Sequence, residues 1–247
     1  MAQPSDPDSQ LIAKVAAYVQ QHMSHYDGSH DYAHIQRVLA LARQIASSSS
    51  PSPSTTSPKS PSTTTYDPLT VALSALLHDV GDKKYLRPDE DASTLVQNVL
   101  LGFDAPEDLA RKVQTIVSAI SYSFEIKNPG KVREVMAEYP ELAVVQDADR
   151  LDALGAVGIG RAFTFGGAKG RNSGMGETIE HFTEKLERLE GMMKTEVGKG
   201  MARERTERLR VFRGWWDEEV GVCAAGCKGA VGVTRAVSED LKGEFTN

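Results

Sequence analysis

The segment ALLHDVGD, Ala75 to Asp82, places a histidine and an aspartate side by side at the end of an apolar run. His78 and Asp79 offer an imidazole nitrogen and a carboxylate oxygen, a donor pair that suits divalent first-row metals. The same pair could also form half of a catalytic relay or belong to a helix cap. The other polar residues of the chain must separate these interpretations.

Two further groups of polar residues interrupt apolar helical patterns. His30 and His34 lie four residues apart at the start of a predicted helix and share one face. The segment QDADRLDA carries Asp147, Asp149 and Asp152 within a mostly apolar run. Each residue alone is more simply explained as a hydrogen-bonded core residue or as half of an ion pair. Because buried carboxylates need cations or donors, the three groups together favour a divalent metal site between helices.

These residues resemble the H…HD…D signature of the HD-domain metal-dependent phosphohydrolases. The matching segments are SHDYAHIQRVLALA, ALLHDVGDKKY, ISYSF and VVQDADRLDALGAVGIGRAF, and the resemblance spans residues 8 to 220 apart from one insertion. The chain is most similar to the bacterial subgroup with nucleoside triphosphate pyrophosphohydrolase activity and to its fungal relatives. The resemblance implies an all-α helical bundle with a metal held between helices.

The resemblance also implies a ligand set. His34, His78, Asp79 and Asp149 would hold one divalent metal ion, with Asp147 as the alternative to Asp149. Between Asp79 and Asp149 the sequence contains no histidine, unlike the HD branches that bind two metals, such as the di-iron oxygenases. Mn is the expected metal, and Mg, Fe, Co, Ni and Zn are the alternatives.

Asp82 is the predicted catalytic residue. It follows Asp79 by three residues, and it would point to the same side if helical geometry persisted past Gly81. In related HD enzymes an acidic residue at this place orients or deprotonates the attacking water. The alternative interpretation is a surface carboxylate at a helix end.

Positively charged residues close to these motifs are the predicted substrate contacts. Lys83, Arg37 and Arg150 would bind phosphate oxygens, and an arginine can do so with two hydrogen bonds. His30 would contact the substrate, or it would interact with His34 without touching the metal itself. Salt bridges to neighbouring aspartates are the alternative for the cations.

Two other features have weaker functional interpretations. The glycine-rich segment GGAKGRNSG, Gly166 to Gly174, could form a phosphate-binding lid, although it lacks the ending of a Walker loop. Tyr85, Tyr122 and Phe124 could stack on a base, but core packing is the simpler explanation for the last two.

The predicted function is hydrolysis of a small nucleotide, with pyrophosphate released from a (deoxy)nucleoside triphosphate. The alternatives are a nucleoside monophosphate phosphatase and a non-catalytic nucleotide-sensing or interaction module. The net charge of −6 argues against a nucleic acid polymer as partner. The sequence has no apolar run of about 18 residues, so no membrane partner is expected.

We expect a monomer or a homodimer in the cytoplasm, with the nucleus as the alternative. The start of the chain has no secretory pattern. Cys223 and Cys227 are the only cysteines, which makes a disulfide framework improbable.

Helical periodicity predicts a single HD domain over residues 1–220 and a loosely ordered tail over 221–247. A disordered insertion interrupts the domain at 47–65, where every residue except Lys59 is Ser, Thr or Pro. The first predicted helix ends near His25, and the second begins at a cap on Ser29. The third runs from Asp67-Pro68 to Val80-Gly81. The later predicted helices cover about 91–102, 105–121, 140–163, 177–194 and 201–220.

Overall fold

The computed structural model describes residues 6–25, 28, 31–48, 64–81, 86, 88, 90–168 and 174–240, with side chains as far as residue 221. Every regular element in these ranges is a helix, which confirms the all-α prediction. None of the described helices is both long and apolar enough to cross a membrane. The helices are α1 Pro7–His22, α2 Tyr32–Ser48, α3 Pro68–Leu77, α4 Leu95–Gly102, α5 Glu107–Ser118, α6 Tyr122–Lys127, α7 Pro129–Glu138, α8 Glu141–Asp152, α9 Gly155–Ala168, α10 Met175–His181 and α11 Glu196–Asp240.

The start of α3 follows its capping residues, as predicted. Asp67 accepts a hydrogen bond from the backbone N–H of Thr70 at 2.9 Å, and Pro68 occupies the first helical position. This cap begins the apolar helix that leads to His78.

The start of α2 differs from the prediction. Asp31, the residue directly before the helix, accepts the backbone N–H of His34 at 2.9 Å and therefore caps it. The predicted cap at Ser29 is wrong, because a cap must lie immediately before the first helical residue, here Tyr32. Ser29 itself lies outside the described residues. The correct cap holds the backbone of His34 directly.

The predicted single helix over 140–163 is divided into α8 and α9. Gly155 has a φ of +70°, outside the helical region, and it separates α8, which ends at Asp152, from the rest of α9. This conformation favours glycine, so the break is encoded at one position. The turn lets Arg161 on α9 reach the carboxylate of Asp152 at the end of α8.

Helices α2, α3 and α8 form the centre of the bundle, and each packs against the other two. Every residue of α8 is buried except Asp149, so this helix is surrounded by protein along its whole length. Ala72, Leu73, Leu76 and Leu77 of α3 are also buried. These rigid elements carry the polar residues that the sequence singled out.

The last third of the chain departs from regular α-helix. The predicted helix over 177–194 consists of α10, a π-helical turn at Phe182–Leu186 and a 3₁₀ turn at Glu187–Met192. Helix α11 then continues to Asp240, past the predicted end at residue 220, and no proline interrupts that stretch.

Most of the predicted insertion lies outside the described residues. Ser47 and Ser48 end α2, residues 64 and 65 precede α3, and 49–63 are not described. The domain boundaries and the loosely ordered tail stay predictions.

Candidate metal centre and adjoining cleft

Four side chains from α2, α8 and the turn after α3 converge on one point. His34 Nε2 lies 3.1 Å from His78 Nε2 and 3.5 Å from Asp79 Oδ2. Asp149 Oδ1 lies 3.6 Å from His34 Nε2 and 3.7 Å from His78 Nε2. His34, His78 and Asp79 alone bring ligand atoms within 4.8 Å of one another. Such a set suits a divalent metal ion.

The hydrogen bonds behind the two imidazoles determine which nitrogen faces the cluster. His78 donates its Nδ1 hydrogen to the carbonyl oxygen of Ala75 at 2.9 Å, and His34 donates its own to Asp152 at 2.7 Å. In the neutral form, both Nε2 atoms then present lone pairs to each other. Two lone pairs 3.1 Å apart repel unless a metal ion or a proton lies between them, and a metal ion can bind both nitrogens at once.

Asp152 is the centre of a buried hydrogen-bond network that the sequence reasoning did not assign. It is 1% exposed and accepts from His34, from Arg37 Nε at 2.7 Å and from Arg161 Nη1 at 3.1 Å. Burial alone would raise the pKa of Asp152, but the bonds from His34 and Arg37 hold it far below its ordinary value. Its position three residues after Asp149 was the available signal, since both then share one face of α8.

This network also acts on His34. Burial disfavours the imidazolium, yet the hydrogen bonds to Asp152 and Asp79 outweigh it and raise the pKa of His34 to about 9. A metal ion requires the neutral imidazole and therefore has to displace a proton there. The carboxylates that raise this pKa also orient the ring toward the cluster.

Asp147, the alternative ligand, faces away from the cluster. It is fully buried and accepts hydrogen bonds from the backbone N–H groups of Lys194 and Thr195 and from the Thr195 hydroxyl. Burial raises the pKa of Asp147 despite these bonds. The carboxylate thus ties α8 to the segment before α11.

Arg150 is also held by protein groups. Its guanidinium is 3% exposed, forms an ion pair with Glu125, and donates to the carbonyl of Met192 at 2.9 Å. Lys194 Nζ contacts the same Glu125 carboxylate at 2.7 Å. The predicted role of Arg150 in substrate binding stays a prediction, although the residue also lines the cleft described below.

Several predicted site residues lie outside the described residues: His30, Asp82, Lys83, Tyr85, Lys169 and Arg171. The predicted orientation of Asp82 required helical geometry to continue past Gly81. Helix α3 ends at Leu77, and Gly81 has a φ of +93°, so helical geometry does not persist past Gly81. Helical spacing therefore gives no direction for the Asp82 side chain.

A cleft opens beside Asp149 and is bounded by α6, α9 and α10 with its following turns. Its cavity volume is about 210 Å³. Lys185 Nζ lies 5.0 Å from the centre of the Tyr122 ring, within cation–π distance across the cleft. The lining residues are Tyr122, Asp149, Arg150, Ala153, Gly158, Arg161, Ala162, Phe165, Thr178, His181, Lys185, Leu186 and Leu189.

Known protein families and relatives match the part of the chain that contains the four clustered side chains. The HD domain family model matches residues 31–154, which contain His34, His78, Asp79 and Asp149. The Bacillus subtilis (strain 168) protein YpgQ is 32% identical over 194 residues, which cover 78% of this chain and 85% of YpgQ. The chain belongs to the HD domain family.

Solved structures agree with this assignment. The crystal structure of Bacillus subtilis YpgQ in complex with ADP has a TM-score of 0.65 and 30% identity, covering 87% of this chain and 97% of that chain. An HD-superfamily hydrolase from Bacillus thuringiensis has a TM-score of 0.63 and 26% identity, covering 87% and 98% respectively.

The HD domain match and the cleft overlap only in part. The match ends at residue 154, after the last carboxylate of α8. Arg161, Phe165, His181 and Lys185 line the cleft from beyond that end. The HD domain thus carries the candidate metal centre, whereas later helices complete the cleft beside it.

Proposed function

We propose that the protein is a metal-dependent phosphohydrolase that acts on a small nucleotide and releases pyrophosphate from a (deoxy)nucleoside triphosphate. The observation that carries the proposal is the convergence of two carboxylate oxygens, from Asp79 and Asp149, on the two histidine Nε2 atoms, which lie 3.1 Å apart. Both imidazoles are locked by hydrogen bonds on the opposite side of the ring.

The proposed ligands are His34, His78, Asp79 and Asp149, and they would hold one divalent ion, with Mn as the expected metal. Four protein ligands leave coordination positions for water and for a phosphate oxygen. When bound, such an ion lowers the pKa of its water and neutralises charge on the phosphoryl group. Asp149 is 31% exposed on its side chain, so the cluster is accessible from the cleft.

Residues near the cluster would orient the reactants. Asp152 fixes the ring of His34, and Arg37 and Arg161 hold Asp152 in turn. Arg37 is 36% exposed on its side chain, which leaves it accessible to a phosphate as well. From the sequence, we retain Asp82 as the group that orients the attacking water and Lys83 and His30 as substrate contacts.

A nucleotide substrate is supported by the relative whose structure contains ADP. The net reaction would consume one water and break the bond between the α-phosphorus and the bridging oxygen, so that a nucleoside monophosphate and pyrophosphate are formed. Asp82, as the water-orienting acid, is the residue that favours an enzyme over a nucleotide-sensing module.

A substrate panel tests the proposal. Purified protein would be incubated with dNTPs, NTPs and NMPs and with Mn, Mg, Fe, Co, Ni or Zn, and phosphate and pyrophosphate would be measured separately. We expect pyrophosphate from triphosphates with Mn, at a rate lowered at least a hundredfold in Asp79→Asn, because a ligand is lost. Asp108→Asn, at a side chain that is 97% exposed, is the matched control.

Each outcome of the panel decides one part of the proposal. Phosphate release from monophosphates alone would show a monophosphatase and overturn the pyrophosphate assignment. If wild-type protein turns over no nucleotide with any of the six metals, the enzyme assignment is wrong. Metal analysis of the purified protein that finds two ions per chain would overturn the single-metal assignment.

A further inference from the structure

The two helices that carry His34 and Asp149 are joined by a second contact one turn away from the metal centre. His34 and Arg37 lie three residues apart on α2 and share one face of that helix. Asp149 and Asp152 have the same spacing on α8. At the metal centre, His34 Nε2 lies 3.6 Å from Asp149 Oδ1, and in the adjacent turn Arg37 Nε lies 2.7 Å from Asp152 Oδ1. Two contacts between the same helices therefore lie side by side.

The second contact is a bidentate ion pair. Arg37 donates from Nε to Asp152 Oδ1 at 2.7 Å and from Nη2 to Asp152 Oδ2 at 3.0 Å. Two parallel hydrogen bonds fix the orientation of both side chains as well as the distance between them. The side chain of Asp152 is 1% exposed, so water competes little for these bonds. The pair is a fixed link between α2 and α8.

This link limits the movement of α2 along α8. A shift of one residue along a helix axis is about 1.5 Å. Such a shift would break the bond from Arg37 Nε, because donor and acceptor would separate beyond roughly 3.2 Å. The same shift would change the spacing of His34 and Asp149, which lie on the same two helices. The ion pair thus holds these two proposed ligands in register.

We propose that Arg37 is a positioning residue for the metal centre: it acts through Asp152 to set the register of α2 and α8 and the direction of the His34 ring. His34 Nδ1 donates to Asp152 Oδ2 at 2.7 Å, and Arg37 Nη2 donates to the same oxygen. Asp152 therefore transmits the constraint from the guanidinium to the imidazole. This inference rests on the proposed function and gives Arg37 a role separate from any contact with phosphate.

The affinity for Mn²⁺ in the absence of nucleotide tests this role. The full-length protein would be titrated in competition with a fluorescent chelator. Arg37→Gln should lower the affinity about tenfold, because groups that orient a ligating histidine contribute about 10- to 100-fold to metal affinity. A residue that only contacts phosphate gives a different result. Loss of its positive charge would leave the affinity for a cation unchanged or raise it.

A double-variant cycle shows whether Arg37 acts through Asp152. Arg37→Gln and Asp152→Asn would be measured singly and together. Two independent effects would multiply, whereas an effect that passes only through Asp152 should make the double variant bind Mn²⁺ as Asp152→Asn alone does. Arg37→Lys should have an affinity between those of wild type and Arg37→Gln, because an ammonium group keeps the charge but loses the bidentate geometry.

Controls separate positioning from folding. Arg111→Gln removes a surface guanidinium that pairs with Glu107 and is 57% exposed, and it should bind Mn²⁺ as wild type does. Arg37→Gln should fold, because Arg161 still donates to Asp152 at 3.1 Å. Urea unfolding of each metal-free variant verifies this, and where Arg37→Gln is unfolded, Arg37→Lys replaces it in the cycle. A merely structural role would lower the free energy of unfolding and leave the Mn²⁺ affinity of the folded protein unchanged.

The outcomes of these titrations are distinct from those of the activity panel. If Arg37→Gln binds Mn²⁺ as tightly as wild type or more tightly, or if the losses in the double variant multiply, the positioning role is wrong even when the wild type hydrolyses nucleotides. If the wild type shows no turnover but the variants lose affinity as expected, the positioning role stands and the proposed hydrolysis fails.

Discussion

His34 Nδ1 lies 2.7 Å from Asp152 Oδ2, and this bond joins the candidate metal centre to the hydrogen-bond network behind it. Both groups are buried, with side chains 1% exposed. A carboxylate that accepts the second ring hydrogen of a ligating histidine fixes the tautomer and the orientation of the ring. Asp152 therefore influences any metal bound by His34 without touching it.

Replacement of Asp152 should weaken metal binding while all four proposed ligands remain in place. Asp152→Asn keeps the shape but removes the charge that orients His34, so we expect the affinity for Mn²⁺ to fall about 10- to 100-fold. Competition with a fluorescent chelator measures this constant. Asp108→Asn should retain the wild-type affinity, and an equal affinity in Asp152→Asn would contradict the proposed role.

Alanine variants of Asp147 and Asp149 should have different effects, one on the stability of the fold and the other on metal binding. Asp149→Ala removes a proposed ligand, so metal retention should be lost while the free energy of unfolding of the metal-free protein changes little. Asp147→Ala leaves the buried N–H groups of Lys194 and Thr195 without their acceptor. That loss should cost about 2–3 kcal/mol.

Metal analysis and urea unfolding of the two variants provide the measurements. Asp147→Ala should still retain metal, because its carboxylate faces α11 rather than the cluster. If Asp147→Ala loses the metal and Asp149→Ala keeps it, then Asp147, and not Asp149, is the fourth ligand.

Residue type and spacing predicted the all-α fold and the cap at Asp67, and they singled out the His and Asp residues that the structure brings together. A motif is a local pattern, and an apolar helix such as α3 follows from its own composition. The division between α8 and α9 was missed because one glycine, Gly155, breaks a run that otherwise continues as helix.

Partners distant in the chain could not be inferred in the same way. The bond from His34 to Asp152 spans 118 residues, and the Arg150–Glu125 pair joins α8 to the short helix α6. Nothing in a single sequence states which of several carboxylates a given cation meets. The cleft residues His181 and Lys185 depend in addition on a π-helical turn, for which the sequence offered no signal.

Two glycines of α11 should respond in opposite directions to the same substitution. A Cβ at Gly198 would overlap Asp147 Oδ2 and lie 2.8 Å from Thr195 Oγ1. Gly198→Ala should therefore destabilise the protein by about 1–3 kcal/mol. A Cβ at Gly200 would meet nothing within 4 Å. Gly200→Ala should stabilise the helix by about 0.5–1 kcal/mol.

Urea unfolding of both alanine variants measures these changes in the free energy of unfolding. The opposite signs matter more than the sizes, since helix propensity alone would make both substitutions stabilising. A stabilised Gly198→Ala protein would show that Asp147 does not pack against the start of α11.

The ion cluster around Glu125 should make stability depend on pH. Burial acts to raise the pKa of Glu125, but the bonds from Lys194 and Arg150 prevail and lower it. A carboxyl with a lowered pKa in the folded state contributes stability above its unfolded pKa, about 4.3. That contribution is lost as the pH falls through the folded value.

Glu125→Gln should leave the buried Arg150 guanidinium without its carboxylate partner, with only the carbonyl of Met192 as acceptor. The variant should therefore be less stable than wild type by about 2–3 kcal/mol at pH 7. The difference should shrink below about pH 4, where Glu125 of the unfolded wild-type chain becomes protonated before the folded carboxyl does. Urea unfolding of metal-free protein from pH 7 to pH 3.5 measures it. Glu134→Gln, at a side chain that is 70% exposed, should match wild type throughout. A Glu125→Gln deficit that stayed constant over this range would exclude the ion cluster as its source.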